Sequence, residues 1–260
     1  MDARRGICAA LLTAAAIAGC TEVSTDPQVP LSLQFDSLPA QAIVIGDTMR
    51  GGDLLPTRVP VSAFNSAGGV VSDTQIKVIG IDSLSVKSFA VISGLRLVGT
   101  KENSTVRIVA QAGALQSQTQ TFAVVPRPTG IGVGDTTTDS ISYDAIDTTS
   151  RFRDITATLF REVRDSAATF QNGLRIAFRV ASFSTTILDS VRIVSPTSGR
   201  AISSALMTNG LATIRVKAYP KPGATGTGSI IVEASARVLG AVVPGSPVSL
   251  PVKLSPFTIR

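Results

Sequence analysis

Hydrophobic and polar residues alternate along much of this chain. Apolar side chains take every second position in four stretches, 57–64, 105–112, 175–181 and 212–219. In the last of these, Ile214 and Val216 alternate with Arg215 and Lys217. Alternation with a period of two is typical of a strand that buries one face in an antiparallel sheet. The pattern therefore predicts β-strands in all four stretches.

Turn-forming residues separate the predicted strands. Asparagine, glycine and proline cluster between them, at 65–69, 172–173, 209–210 and 220–223. An Asn-Gly pair is typical of a tight hairpin, because both residues tolerate positive φ. No long stretch has the 3.6-residue period of a helix. Many short strands with regular turns predict an all-β protein built as a sandwich.

The length and one proline-rich stretch predict two sandwich domains. The chain has 260 residues, which allows one or two domains with real cores. Residues 126–130 read Pro-Arg-Pro-Thr-Gly, a composition that favours an exposed linker. We therefore predict domains at 31–126 and 127–260. Glycine alternates with apolar residues just after the linker, at 130–134, and this pattern predicts a flexible or edge strand rather than a nucleotide-binding loop.

The composition excludes most of the common catalytic machinery. The chain has no His and only two Cys. Without His there is no Ser-His-Asp triad, no Cys-His dyad and no His-ligated metal, and two Cys cannot form a four-Cys metal site. A pair of carboxylates could still act as a glycosidase, but nothing in the sequence locates a cleft for one. We expect no enzymatic activity and no cofactor.

The first residues follow the order of an export signal. Arg4 and Arg5 precede an apolar stretch at 7–18, and small residues follow it. This order is the pattern of a secretory signal peptide, and the apolar stretch is too short to anchor the chain by spanning a membrane. We predict that residues 1–19 are removed and that residues 20–30, which include two prolines, form a tether.

The end of this signal resembles the lipobox of bacterial lipoproteins. Ile17, Ala18 and Gly19 lie directly before Cys20. The resemblance implies that a signal peptidase recognises the first three residues. It also implies that diacylglycerol is attached to the Cys20 thiol, and that Cys20 becomes the first residue of the mature chain. Thr21 follows the cysteine where an inner-membrane retention signal would have Asp, so the resemblance favours the outer membrane.

The strand pattern resembles bacterial immunoglobulin-like (Big) domains, the modules of invasin- and intimin-type surface proteins. The resemblance covers most of residues 31–256. It depends on turn glycines and alternating strands, at 46–48, 59–64, 68–69, 104–113, 174–180 and 208–212. It implies that both predicted domains, 31–126 and 127–260, are immunoglobulin-like β-sandwiches in tandem.

Arginines in the second half are candidates for a surface that binds anions or a partner. The net charge is +6. The candidates are Arg151, Arg153, Arg161, Arg164, Arg175 and Arg179. Guanidinium groups bind carboxylates and phosphates well, so such a stripe would suit an acidic polysaccharide, lipopolysaccharide phosphate or another protein. The alternative is that these arginines only solvate the outer face. Nucleic-acid binding is not expected, because the charge is modest and aromatic residues make up only 5% of the chain.

Four aspartates in the stretch 130–150 are weak candidates for calcium ligands. They are Asp135, Asp139, Asp144 and Asp147. Oxygen ligands suit Ca²⁺, but the spacing matches no calcium-binding loop. A solvated loop is the favoured alternative, so we expect no metal site.

These features predict a lipid-anchored protein of the bacterial cell envelope, in the outer membrane. Lipid on Cys20 would be its membrane contact. Its two modules would adhere to or bind an envelope protein, a glycan or a host component without catalysis. The alternative function is a structural spacer or assembly subunit of an outer-membrane complex.

Overall fold

A computed structural model describes residues 26–81, 83–92, 95–134, 139–144, 150–162 and 169–257. Apart from one short helix these residues form strands, turns and loops, so the all-β prediction is confirmed. The first module contains helix α1 (Ser83–Ser88) and the strands β1 (Ser32–Phe35), β2 (Ala42–Val44), β3 (Val61–Phe64), β4 (Lys77–Gly80), β5 (Phe89–Ile92), β6 (Arg96–Gly99), β7 (Ser104–Ala112), β8 (Leu115–Gln116) and β9 (Gln120–Val125).

The second module follows in sequence. It contains the strands β10 (Gly130–Val133), β11 (Asp139–Tyr143), β12 (Arg151–Arg161), β13 (Thr169–Phe170), β14 (Arg175–Phe183), β15 (Leu188–Val194), β16 (Ser204–Leu206), β17 (Ala212–Pro220), β18 (Gly228–Ser235), β19 (Arg237–Val238), β20 (Ala241–Val242) and β21 (Val248–Pro256). Within the described residues, no helix has the length and apolar content needed to cross a membrane.

In the first module, one larger sheet faces two small ones. The larger sheet has the strand order β2-β9-β7-β4, and β8 also pairs with β7. The small sheets are β1-β3 and β5-β6. Ile108 and Val124 of the larger sheet share a buried cluster with Phe89 and Leu97 of the β5-β6 pair. The core therefore lies between the sheets, as a sandwich requires.

The second module is a sandwich of two five-stranded sheets. One sheet has the order β10-β12-β17-β15 with β13 on β12, and the other has the order β11-β21-β18-β14-β16. Ile155 and Ile214 from the first sheet share one buried cluster with Phe178 and Val232 from the second. The strands of the first sheet correspond to A, B, E and D of an immunoglobulin fold, while β14, β18 and β21 correspond to C, F and G. The prediction of an immunoglobulin-like sandwich is confirmed for this module.

The predicted alternation is present in the strands that carry the core. In β17, Ile214 and Val216 are fully buried while Arg215 and Lys217 lie on the opposite face. Strand β10 is an edge strand, as the glycine alternation at 130–134 predicts. A Cβ on Gly130 would lie 2.5 Å from the Phe160 ring, so glycine is required where that ring covers the strand.

Candidate functional site

Asp47 is a buried carboxylate at the contact between the two modules. It follows β2 and has a relative exposure of 5%. Arg50 binds it through two hydrogen bonds, from Nη2 to Oδ1 at 2.8 Å and from Nε to Oδ2 at 2.9 Å. The backbone N–H of Thr48 donates to Oδ1 at 2.8 Å. The N–H of Leu239 in the second module donates to Oδ2 at 2.7 Å. One carboxylate therefore joins its own module to the next.

Leu239 reaches Asp47 because it lies at the tip of a tight hairpin. Strands β19 and β20 pair antiparallel, and Leu239 and Gly240 between them have φ values of 52° and 79°. Positive φ at both central residues is the geometry of a type I′ turn, which suits the twist of a hairpin. The hairpin of the second module thus presents a backbone N–H to the first.

Gly173 forms a second contact between the modules. Its carbonyl accepts hydrogen bonds from the N–H groups of Gln41 and Ala42, both at 3.1 Å. Gly173 has a φ of 77°, and a Cβ at this position would lie 2.9 Å from both the N and the Cβ of Ala42. The close backbone approach therefore requires glycine.

Arg175 crosses the same boundary. Its Nε donates to the carbonyl of Pro39, and its Nη1 donates to Ser204 Oγ at 3.2 Å. Burial lowers the pKa of this guanidinium from its usual value. Ala42 and Val44 of the first module also belong to the buried cluster of the second. Apolar packing and polar contacts therefore coincide at this boundary.

The boundary encloses a cavity too small for an organic ligand. The cavity has a volume of about 30 Å³ and is lined by residues that include Asp47, Leu54, Leu174 and Val238. Ligand pockets usually hold roughly 300–1,000 Å³, whereas a water needs only about 10–15 Å³. The geometry of the boundary therefore suits a fixed joint between modules rather than a binding pocket.

The candidate arginines do not form one stripe. Arg151 and Arg153 lie at one end of β12 and Arg161 at the other, while Arg175 and Arg179 lie on β14 in the opposite sheet. Arg164 lies outside the described residues. Arg175 is only partly exposed, and its Nε donates to the Pro39 carbonyl of the first module. The set as a whole is divided between two sheets.

Arg153, Arg161 and Arg179 are among the described candidates that form ion pairs. Arg153 pairs with Asp139 at 2.8 Å, Arg179 with Glu233 at 2.5 Å, and Arg161 with Glu102 of the first module at 3.2 Å. Such pairs near the surface contribute little to stability, on the order of 0–1 kcal/mol each. Their main effect is to neutralise the positive charge of arginines that the sequence suggests as anion-binding candidates.

The aspartates considered for calcium are only partly described. Asp139 is paired with Arg153, and Asp144 follows β11, while Asp135 and Asp147 lie outside the described residues. Among the described residues, no group of three or more His, Cys, Asp or Glu side chains could hold a metal ion. The lipobox-like residues Ile17, Ala18, Gly19 and Cys20 also lie outside the described residues.

A basic and aromatic surface lies on the outer face of the first sheet of the second module. It is not apparent from the sequence alone. We call it the basic–aromatic face, and it consists of Phe152, Arg192, Arg215, Lys217 and Tyr219. Strand pairing sets Lys217 of β17 between Phe152 of β12 and Arg192 of β15. These three residues are far apart in sequence, so only the strand order could have revealed them.

Two arginines of the basic–aromatic face stack on its rings. The Arg215 Cζ lies 4.2 Å from the Phe152 ring centroid, and the Arg192 Cζ lies 5.5 Å from that of Tyr219. Asp154 accepts two hydrogen bonds from Arg215, at 2.7 and 2.9 Å. The hydrogen bond to Asp154 raises the pKa of Arg215. The rings and cations are therefore held in a fixed arrangement.

A groove in the first module has the size of a ligand site, and its described lining contains one carboxylate. It measures about 630 Å³ and is lined by residues of β1, β7 and β9 and their connections. Asp36 is the one carboxylate among its described lining residues, and it accepts a hydrogen bond from Ser62 at 3.1 Å. Glycoside hydrolysis uses a pair of carboxylates across the scissile bond.

The fold and its joint define a class, an all-β protein of two immunoglobulin-like sandwiches connected by a buried polar and apolar contact. No protein-family model matches the chain. No curated protein matches it either.

Solved structures give distant similarities. The surface layer protein SbsC, domains 1–6, is 14% identical with a TM-score of 0.29 over 88% of this chain and 28% of that one. The Yersinia pseudotuberculosis adhesin InvE is 13% identical with a TM-score of 0.33 over 86% of this chain and 58% of that one. The endo-fucoidan hydrolase MfFcnA9 of glycoside hydrolase family 107 is 12% identical with a TM-score of 0.38 over 87% of this chain and 34% of that one. The chain spans less than two thirds of each, and similarities this distant carry no argument about its function.

Proposed function

We propose that this chain is a lipid-anchored protein of the bacterial cell envelope that displays two immunoglobulin-like modules as one rigid unit. The modules bind another envelope component, a glycan or a host surface without catalysis. The observation that carries the proposal is the Asp47 contact, in which the hairpin of the second module donates to a buried carboxylate of the first. A flexible pair of modules would not need a charged group buried at the joint.

The direction of the chain supports display of the second module away from the anchor. Asn65 Nδ2 donates to the Pro27 carbonyl at 3.0 Å, so the incoming chain lies beside the turn at 65–69. Strand β1 then leads from this turn toward Pro39, which contacts the second module through Arg175. Residues 26–30 and the joint therefore lie toward opposite ends of the first module, which supports a display in which the second module is outermost.

The proposal of a lipid anchor is based on the order of residues at the N-terminus. Ile17-Ala18-Gly19-Cys20 follows an apolar stretch with two arginines before it. Stable anchoring requires at least two acyl chains, because one chain gives only marginal binding. Diacylglycerol on the Cys20 thiol supplies two.

Metabolic labelling with a fatty-acid probe tests the anchor. The wild-type chain and a Cys8→Ser control should take up the label and fractionate with outer membrane, whereas Cys20→Ser should do neither. Label retained by Cys20→Ser would contradict the proposal, and so would an unlabelled wild-type chain.

A spacer or assembly subunit without its own ligand is the alternative function, and the rigid joint suits it equally well. The basic–aromatic face favours binding, because a pure spacer has no need for exposed rings and cations on one sheet.

A further inference from the structure

We propose that the basic–aromatic face binds an acidic polysaccharide, with sugar rings against Phe152 and Tyr219 and carboxylate or sulfate groups on Arg192 and Lys217. The inference deepens the proposed display function and names the class of its ligand. It depends on three properties of the face, namely its unpaired charge, its exposed ring and its position in the molecule.

The charge on the face is not neutralised within the protein. Arg192 and Lys217 are directly opposite each other in the register of β15 and β17. Like charges in directly opposite positions destabilise a sheet. In the part of the chain that the structure describes, neither residue has an acidic partner. Two unpaired cations side by side create a site for an anion.

The carboxylates of Asp154 and Asp189, on the same sheet, do not pair with these cations among the described residues. Asp154 lies directly opposite Arg215 and accepts hydrogen bonds from both its Nε and its Nη2. Asp189 lies in the bulge between Leu188 and Ser190 at the start of β15, and no ion pair joins it to Arg192 or Lys217 among the described residues. The face therefore has a net positive charge.

An exposed ring adjoins the cations. Phe152 is 56% exposed near the start of β12, and it is directly opposite Lys217. Arg215 stacks on one face of this ring and is itself held by Asp154, while more than half of Phe152 remains exposed. An apolar ring suits the C–H face of a pyranose, while the adjacent ammonium and guanidinium groups suit its acidic substituents.

The geometry of the sheet favours an extended polymer. Phe152, Lys217 and Arg192 form one row across three strands, and neighbouring strands lie about 4.8 Å apart. The row is therefore a nearly flat track about 10 Å long, with an aromatic group at one end and two cations along it. A chain of linked sugars can follow such a track with successive residues.

The position of the face argues against the membrane as its ligand. The face belongs to the second module, which is separated from the tether by the length of the first module. Under the proposed function, the lipid anchor therefore holds this face away from the membrane that carries it. An acidic polysaccharide is within its reach, whereas the headgroups of that membrane are not.

Binding of defined polymers to the full chain tests the inference. The probes are polygalacturonate and dextran sulfate, with neutral dextran as the control, measured by calorimetry at low and high salt. The wild-type chain should bind both acidic polymers, more weakly at high salt, and should not bind dextran. Lys217→Gln and Arg192→Gln should each weaken binding by about tenfold, and Phe152→Ala by a similar factor.

Matched controls separate this face from general charge. Lys253→Gln on β21 and Arg200→Gln in the turn after β15 each remove one exposed positive charge elsewhere on the same module, and both should bind as the wild type does. Lys217→Gln should also keep or raise the melting temperature, because it removes a like-charge pair. A loss of binding at unchanged or higher stability cannot come from unfolding.

Three results would overturn the inference. The first is no binding of either acidic polymer by the wild-type chain. The second is equal weakening by Lys253→Gln and Lys217→Gln. The third is binding to phosphatidylglycerol vesicles that depends on Lys217, with no such dependence for the polymers. Fatty-acid labelling of Cys20 is independent of all three, so the anchored display function can stand when this inference fails, and the reverse also holds.

Discussion

Asp47 shows how a single side chain can fix the relation between two modules. Its carboxylate accepts four hydrogen bonds, and the guanidinium of Arg50 that faces it is also largely shielded, with 13% side-chain exposure. Removal of one partner from a buried ion pair is costly, because the other charge stays buried without compensation. The joint is therefore sensitive to this residue beyond the loss of one contact.

Replacement of Asp47 should destabilise the protein strongly. Asp47→Ala leaves Arg50 uncompensated and the Leu239 N–H without its acceptor, so we expect a loss of about 3 kcal/mol in the free energy of unfolding. The exposed Asp73→Ala should change it by less than about 0.5 kcal/mol. Urea denaturation followed by circular dichroism measures both. Equal effects of the two substitutions would show that the Asp47 contact does not hold the modules.

The arginines illustrate what the sequence could and could not predict about single residues. The sequence predicts a candidate binding surface that includes Arg151, Arg153 and Arg161. In the structure Arg153 and Arg161 are paired with acidic residues that lie elsewhere in the sequence. The sequence does not predict a site at Lys217 and Arg192, because each is a single charge in an ordinary alternating strand. Their proximity depends on the pairing of β15 with β17, which a single sequence does not specify.

The strands that alternate strictly were predictable, and the irregular elements were not. Strands β7, β14 and β17 lie where the period of two predicts them, because one face of each is buried against the opposite sheet. The sequence pattern does not predict helix α1 or the β5-β6 pair. The sequence of β5 is Phe-Ala-Val-Ile, an unbroken apolar run whose outer residues remain exposed, so it carries no alternation. The contact between modules was also not predictable, since Gly173 and Asp47 look like ordinary turn residues.

Gly173 offers a test of the joint at the level of a turn. Gly173→Ala must accept both a φ of 77° and a Cβ 2.9 Å from Ala42, whereas Gly223→Ala meets a similar φ of 71° with nothing within 4 Å. We expect Gly223→Ala to cost about 1–2 kcal/mol from backbone strain alone. Gly173→Ala should cost roughly 1–3 kcal/mol more, because the close approach to the first module is lost or strained.

Thermal unfolding of the two glycine variants checks this difference. Because both substitutions place alanine at positive φ in a turn, the comparison isolates the contribution of the contact with Ala42. If the two melting temperatures fall by the same amount, the approach of Gly173 to the first module contributes nothing to stability.

The molecule as a whole combines two β-sandwiches, one with a larger sheet facing two small ones and one with two five-stranded sheets. The first module contributes Asp47 to the joint, and the second carries the basic–aromatic face on the outer side of its first sheet. The contacts involve residues 39–47 and Glu102 of the first module, and Arg161, residues 173–175 and Leu239 of the second. Together these contacts restrict both bending and twisting of the second module relative to the first. We therefore expect the two modules to move as one body.

Electron-spin distance measurements test that claim most directly. Spin labels at Thr121→Cys on β9 and Ser249→Cys on β21 occupy exposed positions on the two modules, in a chain that also carries Cys8→Ser and Cys20→Ser. We expect one narrow distance distribution for this chain and a broad one after Asp47→Ala. A broad distribution before that substitution, unchanged by it, would contradict the claim that the modules form one rigid unit.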